Sequence, residues 1–165
     1  MVVATHRRKM ISLGSRRCPA SINGNQTTGD PMTQIEFSTP PSPNGFSHTA
    51  SIAAGSRLVW TSGQVPVAPD GTVPPPDDWA AQTRQAMRNV EAALQAGGAT
   101  WDDVFKLTIF VVDTSALAIV REVRDEFVDV RRPPTSSLVQ VAGLFRPDLL
   151  IEVEAVAAVA VNVSS

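Results

Sequence analysis

Two carboxylates lie inside an otherwise apolar stretch near the C-terminus of the chain. Glu152 and Glu154 alternate with aliphatic residues, so a strand here places both acids on the face opposite those residues. Burying a carboxylate without a partner costs several kcal/mol, so a strand that contains one usually has a use for it. We predict that Glu152 is a general base that positions or deprotonates a water molecule; the alternative is an ion pair with an arginine at an interface. For Glu154, an ion pair or a solvated strand end is favoured.

Three hydroxyl side chains, Thr135, Ser136 and Ser137, come directly before the apolar residues Leu138 and Val139. They can donate hydrogen bonds to a neutral or carbonyl-bearing ligand, or they can be ordinary hydroxyls of a strand and its turn. No pattern of His and Asp accompanies them, so a serine nucleophile is not predicted.

The chain carries few of the residues that bind metals or act as thiol nucleophiles. Its single cysteine, Cys18, lies in the N-terminal segment, and its two histidines, His6 and His48, are too few and too far apart to suggest a zinc site. The sequence has no phosphate-binding glycine loop and no His-Glu-x-x-His motif. We therefore expect no metal and no cofactor. His48 could line a pocket as an acid or donor, although a surface histidine is the commoner outcome.

Charge is distributed unevenly along the 165 residues. Residues 1–31 hold five of the 14 basic side chains against the lone Asp30, and the whole chain has a formal net charge of -2, so the remainder is negative. A negative domain is a poor match for phosphate backbones, so no nucleic-acid partner is expected. We predict a flexible basic tail at 1–31 and a single domain at 32–165. No stretch has the length of a membrane span and the N-terminus lacks a secretory signal, so a cytoplasmic protein is expected.

The periodicity of apolar residues predicts the order β-β-β-α-β-α-β-β. Helical spacing follows Asp77 or Asp78 and stops at Gly97-Gly98, and a second apolar stripe runs from Leu117 to Val130 ahead of Pro133-Pro134. Strands are predicted at residues 34–38, 46–54, 57–62, 104–112, 136–141 and 149–161, the second and third forming a pair.

These elements suggest an α+β fold with two helices on one face of one mixed sheet. The strands carry more apolar surface than two helices hide, so we expect the other face of the sheet to meet further copies of the chain. The residues on which this expectation depends are Ile109, Val111, Val139, Val141, Val153 and Ala155.

Three blocks of sequence together resemble the RidA/YjgF family of reactive-intermediate deaminases. The first is Gly-Phe-Ser-His-Thr-Ala at 45–50, running on to Ser-Gly-Gln-Val-Pro at 62–66. The second is the helical segment 82–94, and the third is the stretch 134–157. Their order and spacing match the family over about residues 34–161.

The resemblance implies a chorismate-mutase-like fold and a homotrimer in which three sheets form an inner barrel. Small-molecule sites in such an assembly lie in clefts between subunits. Members of the family hydrolyse enamines and imines released by pyridoxal-phosphate enzymes to a ketoacid and ammonia, with no metal or cofactor. In the family an arginine of the penultimate strand grips the substrate carboxylate, and a glutamate of the last strand orients water.

The sequence differs from the family at most of the site positions. The arginine's position falls on Ser136, or on Thr135 with a different gap, and a hydroxyl cannot replace a guanidinium that forms a charged fork to a carboxylate. A family cysteine falls on Leu138, a tyrosine on Phe46 and an asparagine on Arg121, whereas the glutamate is kept as Glu152. The substrate-binding residues that we predict are Phe46, Ser62, Gly63, Arg121, Ser136, Ser137 and Leu138.

Three functions follow from the resemblance and its departures. The first is a trimeric enzyme that hydrolyses an enamine, imine or related C=N substrate other than a simple amino-acid-derived imine, with Glu152 handling the water. The second is a trimer of the same fold that binds a metabolite without turning it over, which the loss of the arginine favours. The third, an endoribonuclease, is disfavoured because the domain is acidic and lacks a basic, aromatic stripe.

Overall fold

The computed structural model describes residues 35–38 and 41–161. The predicted tail at 1–31, with Cys18 and His6, lies outside these residues. The described part contains eight main elements in the predicted order β-β-β-α-β-α-β-β. Their bounds are β1 Ile35–Phe37, β2 Ala50–Ile52, β3 Arg57–Trp60, α1 Trp79–Ala96, β4 Val104–Val111, α2 Leu117–Arg124, β5 Thr135–Gln140 and β6 Ile151–Val159.

Helix α1 begins and ends where its capping residues predict. The Asp78 carboxylate accepts a hydrogen bond from the Ala81 amide at 2.9 Å, which satisfies one of the free donors of the first turn. The helix ends at Gly97 and Gly98, and Gly98 has a φ of 69°, a conformation that residues with side chains rarely adopt. Its buried stripe faces the sheet and comprises Gln82, Thr83, Ala86, Met87, Val90 and Leu94.

A four-stranded sheet with the order β3-β6-β4-β5 supports the rest of the domain. β6 runs antiparallel to β3 and β4, whereas β4 and β5 are parallel, so the sheet is mixed as predicted. Alternate residues of β4 and β6 pack with α1 and α2 in one core, which confirms the α+β class with both helices on one face. The strand residues of this core are Val104, Leu107, Ile109, Val111, Ile151, Val153, Ala155 and Ala157.

The opposite face of the sheet has no helix in the described part of the chain and exposes large apolar side chains. We call it the open face. Trp60 is 66% exposed, and Leu58 and Val139 are also exposed on this face. Of the six residues from which we expected an uncovered surface, four are buried on the helix face instead, because they alternate in phase with the core. Those four are Ile109, Val111, Val153 and Ala155.

The N-terminal strands pair differently from the prediction. β2 pairs with β1 in a separate two-stranded sheet, and β3 pairs with β6. The expected pairing of β2 with β3 is therefore wrong. Val59 of β3 lies opposite Ala157 of β6 and packs against the helix-side core, and this burial holds β3 in the main sheet.

Helix α2 is shorter than its apolar stripe suggests. It ends at Arg124, and the chain continues in tight turns in which the amides of Glu126 and Phe127 bond to carbonyls three residues back. Phe127 packs against Trp101 with ring centroids 5.8 Å apart, whereas Val130 at the end of the stripe is 55% exposed. No helix among the described residues has the length and hydropathy needed to cross a membrane.

Candidate functional site

Glu152 lies on the open face, where β6 places it opposite Phe110 of β4. Its side chain is half-buried against the backbone of Gly63. A Cβ added at Gly63 would overlap the Oε1 atom of Glu152, so the absence of a side chain at position 63 makes room for the carboxylate. Two of the predicted site residues, Glu152 and Gly63, are therefore in contact.

The segment after β3 holds Gly63 in this position. The Thr61 amide donates to the Ala155 carbonyl at 3.0 Å, and the Thr61 hydroxyl accepts from the Ala155 amide at 3.0 Å. Three residues after Thr61, Gln64 exchanges both backbone hydrogen bonds with Val153, at 2.8 and 2.9 Å. Ser62 and Gly63 lie between these two pairs of hydrogen bonds, and Ser62 is exposed.

A second feature, which we call the helix-side pocket, lies between α2, β5 and the loop at 42–47. It encloses about 110 Å³. Four of the predicted binding residues line it, namely Phe46, Arg121, Ser136 and Leu138. The remaining lining residues are Asn44, Ile109, Leu117, Val120 and Arg124.

The loop at 42–47 is fixed onto the start of β5, and this contact places Phe46 in the pocket wall. The Ser47 hydroxyl donates to the Pro133 carbonyl at 2.7 Å, and the Ser47 amide donates to the Pro134 carbonyl at 3.2 Å. Phe46 is half-buried, and its ring makes an edge contact with His48 at a centroid distance of 5.3 Å. His48 is exposed and does not line the pocket.

Two arginines one helical turn apart bring positive charge to the helix-side pocket. Arg121 was predicted, and its Nη1 donates to the Asn44 Oδ1 at 3.4 Å. Arg124 was not predicted, although it follows Val120 by four residues and so falls on the buried stripe of α2. An arginine that falls at an apolar position of a helix stripe indicates a buried charge, and this spacing could have identified Arg124.

Ser137 is a predicted binding residue that does not line the helix-side pocket. It points to the open face, where its hydroxyl accepts a hydrogen bond from Lys106 Nζ at 2.6 Å. Burial lowers the pKa of Lys106.

The predicted residues therefore lie on opposite faces of one sheet. Glu152 and Gly63 are in contact on the open face, and Phe46, Arg121, Ser136 and Leu138 line the helix-side pocket. A strand alternates its side chains between faces, so Glu152 of β6 and Ser136 of β5 cannot meet within one chain. Within the described residues, no cluster of three or more His, Cys, Asp or Glu side chains offers a metal site.

Comparison with known proteins places these features in one family. The profile of the family described as Endoribonuclease L-PSP matches residues 38–159. The 2-iminobutanoate/2-iminopropanoate deaminase of Escherichia coli (strain K12) is 40% identical over 103 residues, which are 61% of this chain and 79% of the relative.

Solved structures share the fold. YyfB from Yersinia pestis, a protein of the Rid family described as of unknown function, has a TM-score of 0.69 and 32% identity, over 76% of this chain and 99% of its own. Escherichia coli TdcF with bound serine has a TM-score of 0.58 and 38% identity, over 66% of this chain and 85% of its own.

Proposed function

Because this chain belongs to the family described as Endoribonuclease L-PSP, which includes the RidA/YjgF proteins, we propose that it hydrolyses an enamine, imine or related C=N compound in the cytoplasm. The observation that carries the proposal is the half-buried Glu152 beside Gly63. This acid stands at the position of the water-handling glutamate of the family, and it lies on the sheet face that carries no helix among the described residues. The similarity to an imine deaminase of known name supports the reaction class.

The reaction requires only water and proton transfers. Glu152 accepts a proton from water as the water oxygen bonds to the imine carbon, and the C=N π electrons become a lone pair on nitrogen. The proton then passes to nitrogen to give a carbinolamine. Glu152 next carries the proton of the carbinolamine hydroxyl to nitrogen, the C–N bond breaks as the C=O bond forms, and ammonia leaves, so that imine plus water gives a carbonyl compound plus ammonia. An enamine enters the same sequence after a proton shift to its imine form.

The substrate of this reaction is small. The helix-side pocket, at about 110 Å³, lies well below the roughly 300–1,000 Å³ typical of pockets for larger ligands. Phe46 and Leu138 give it an apolar wall. We do not propose RNA cleavage, because the domain is acidic and its sequence has no basic, aromatic stripe. The bound ligand in the TdcF structure, serine, is also a small molecule.

We propose that the working unit is a homotrimer and that each site lies between two chains. Glu152 and the helix-side pocket lie on opposite faces of the sheet, so a neighbouring chain is needed to bring them together. The exposed Trp60, Leu58 and Val139 give the open face an apolar surface of the kind that subunit interfaces bury.

One observation favours a second function, which is binding of a metabolite without turnover. Ser136 stands where the family has its substrate-gripping arginine, and a hydroxyl forms no charged fork. A ligand recovered unchanged, together with equal behaviour of the wild type and Glu152→Gln, would support this alternative.

Ammonia release from freshly generated 2-aminoacrylate, and from imines of larger ketoacids, tests the proposed hydrolysis. We expect a rate above the buffer rate that falls by about 10²-fold or more in Glu152→Gln, the loss typical of a general base. Glu154→Gln, a change to the next acid on the same face, is the matched control and should retain the rate. A rate equal to the buffer rate with every imine, or one unaffected by Glu152→Gln, contradicts the proposal.

A further inference from the structure

We propose that Arg124, from the end of α2, is the anion-binding group of the helix-side pocket, and that the ligand of this pocket carries a carboxylate. The assignment of this ligand as a substrate rests on the proposed function, whereas the binding of the anion does not. From Ser136 alone, we expected the pocket to lack a cation that binds a carboxylate. The proposal changes this expectation, because Arg124 of α2 supplies the positive charge instead of a residue of β5.

Arg124 is a buried cation with an incomplete set of partners. The residue is 4% exposed and lines the pocket. Its Nε and Nη2 atoms both donate to a single oxygen, Oδ1 of Asp125, at 2.9 and 2.6 Å. Among the residues that the structure describes, none accepts a hydrogen bond from Nη1. A guanidinium has five N–H donors, so the pairing with Asp125 leaves donors for a ligand.

The backbone of the loop at 42–47 is shaped around this guanidinium. Gly45 has a φ of 75°, and a Cβ added there would lie 2.5 Å from Arg124 Nη2. The loop therefore requires a glycine for two reasons, its backbone conformation and its close approach to the arginine. Since the same loop carries Phe46 and Asn44 into the pocket wall, the position of Arg124 and the shape of the pocket are set together.

The charges around the pocket leave a surplus of one positive charge. Arg121 and Arg124 are balanced in part by Asp125, whose side chain is more exposed than that of Arg124. The rest of the lining contributes apolar side chains and the neutral Ser136 and Asn44. An anion that enters such a low-dielectric site is attracted more strongly than it would be in water.

The lining also indicates the form of the ligand. Arginine binds carboxylates through a planar fork of paired N–H donors, and such charge-assisted bonds are about twice as strong as neutral ones. The apolar side chains Leu117, Val120 and Leu138 suit a short aliphatic portion. Ser136 is short and leaves the space beside Arg124 unfilled. A small 2-oxo or 2-imino acid has this combination of groups.

Binding of pyruvate compared with pyruvamide tests the proposal without any turnover. The two molecules have nearly the same shape and differ in the charge of one group. We expect the wild type to bind pyruvate more tightly by roughly tenfold or more, the difference that hydrogen bonds to a charged group provide, and Arg124→Gln to lose this preference. Arg88→Gln, a change to an exposed arginine of α1, is the matched control and should keep it.

Two further measurements cover a variant that fails to fold. In the wild type, the side-chain Nε–H resonance of Arg124, identified with Arg124→Lys, should shift as pyruvate is added, while that of Arg88 should not. Adding Ser136→Arg to Arg124→Gln should restore the preference, because the new guanidinium enters the same pocket from β5. Equal binding of pyruvate and pyruvamide to the wild type, or an unmoved Arg124 resonance, overturns the proposal. If the protein prefers pyruvate but releases no ammonia from any imine, the proposed anion site is supported and the proposed hydrolysis is contradicted.

Discussion

The Glu152 carboxylate occupies the space that a side chain at residue 63 would fill. The backbone around Gly63 is held on both sides by hydrogen bonds to β6, the strand that carries Glu152, so neither partner is free to move away. This contact fixes where the acid can point.

Substitution of Gly63 by alanine should therefore disturb the acid more than the fold. The φ of Gly63 lies outside the left-handed region, so an added methyl group causes no backbone strain and collides only with Glu152. We expect Gly63→Ala to fold normally and to lose hydrolytic activity to the level of Glu152→Gln. Gly143→Ala adds a methyl group where no atom lies within 4 Å and is the control. Full activity of Gly63→Ala would show that the orientation of Glu152 does not matter.

An acidic residue in place of Trp60 should prevent assembly. The indole is 66% exposed on the open face, and a buried carboxylate without a partner in an interface is strongly unfavourable. We expect sedimentation velocity to show a trimer for the wild type and smaller species for Trp60→Glu. Ile119→Glu, at an apolar residue of α2 that is 41% exposed, should leave the trimer intact. A monomeric wild type would remove the shared site altogether.

Gln82 is a buried link between α1 and the start of β6, and its loss should cost stability. Its amide nitrogen donates to the carbonyls of Pro74, Pro75 and Asp148, and its amide oxygen accepts from the Leu150 amide at 2.9 Å. Gln82→Leu leaves these backbone groups buried and unsatisfied, so we expect the free energy of unfolding to fall by about 1–3 kcal/mol. Gln95→Leu, on an exposed part of the same helix, is the control in urea titrations.

The ion pair between Arg84 and Glu126 should stabilise the protein only where the carboxylate is charged. Arg84 donates to Glu126 at 2.8 and 2.5 Å and thereby lowers the pKa of Glu126. A carboxyl whose pKa is lowered by folding stabilises the folded state at neutral pH and loses that effect as the pH falls through the folded pKa.

We therefore expect Glu126→Gln to be slightly less stable than the wild type at pH 7, and the difference to vanish as the pH falls through the lowered pKa of Glu126. The magnitude should be small because both side chains are exposed. Glu36→Gln removes an exposed carboxylate of β1 and serves as control. A difference between wild type and Glu126→Gln that persists in acid would assign the effect to packing rather than to charge.

The sequence was sufficient for the order of elements and for the alternation that places Glu152 away from the core. Strand and helix periodicities are local patterns. They predicted where α1 begins and ends, and which residues of β6 face the core. Strand pairing is not local: β2 pairs with β1, whereas β3 pairs with β6 near the other end of the chain. The sequence contains no signal for that choice.

The sequence also does not show which of the predicted site residues lie together, because their contacts are not local. Phe46, Ser136 and Leu138 come together because the loop at 42–47 bonds to the start of β5, a contact between residues 86 positions apart. Arg124 was not predicted, because the buried positions of a helix are identified in a sequence by their apolar residues. Only the folded chain shows that its guanidinium enters a cavity beside Gly45.

The placement of Glu152 and the helix-side pocket on opposite sides of one sheet has a genetic consequence. If adjoining chains each supply one half, two inactive forms of the protein can complement each other. Chains with Glu152→Gln and chains with a disabled helix-side pocket, unfolded and refolded together, should regain part of the activity that neither has alone. A defective copy expressed beside a normal one would likewise impair some sites of every mixed assembly, and so act dominantly in proportion to its abundance.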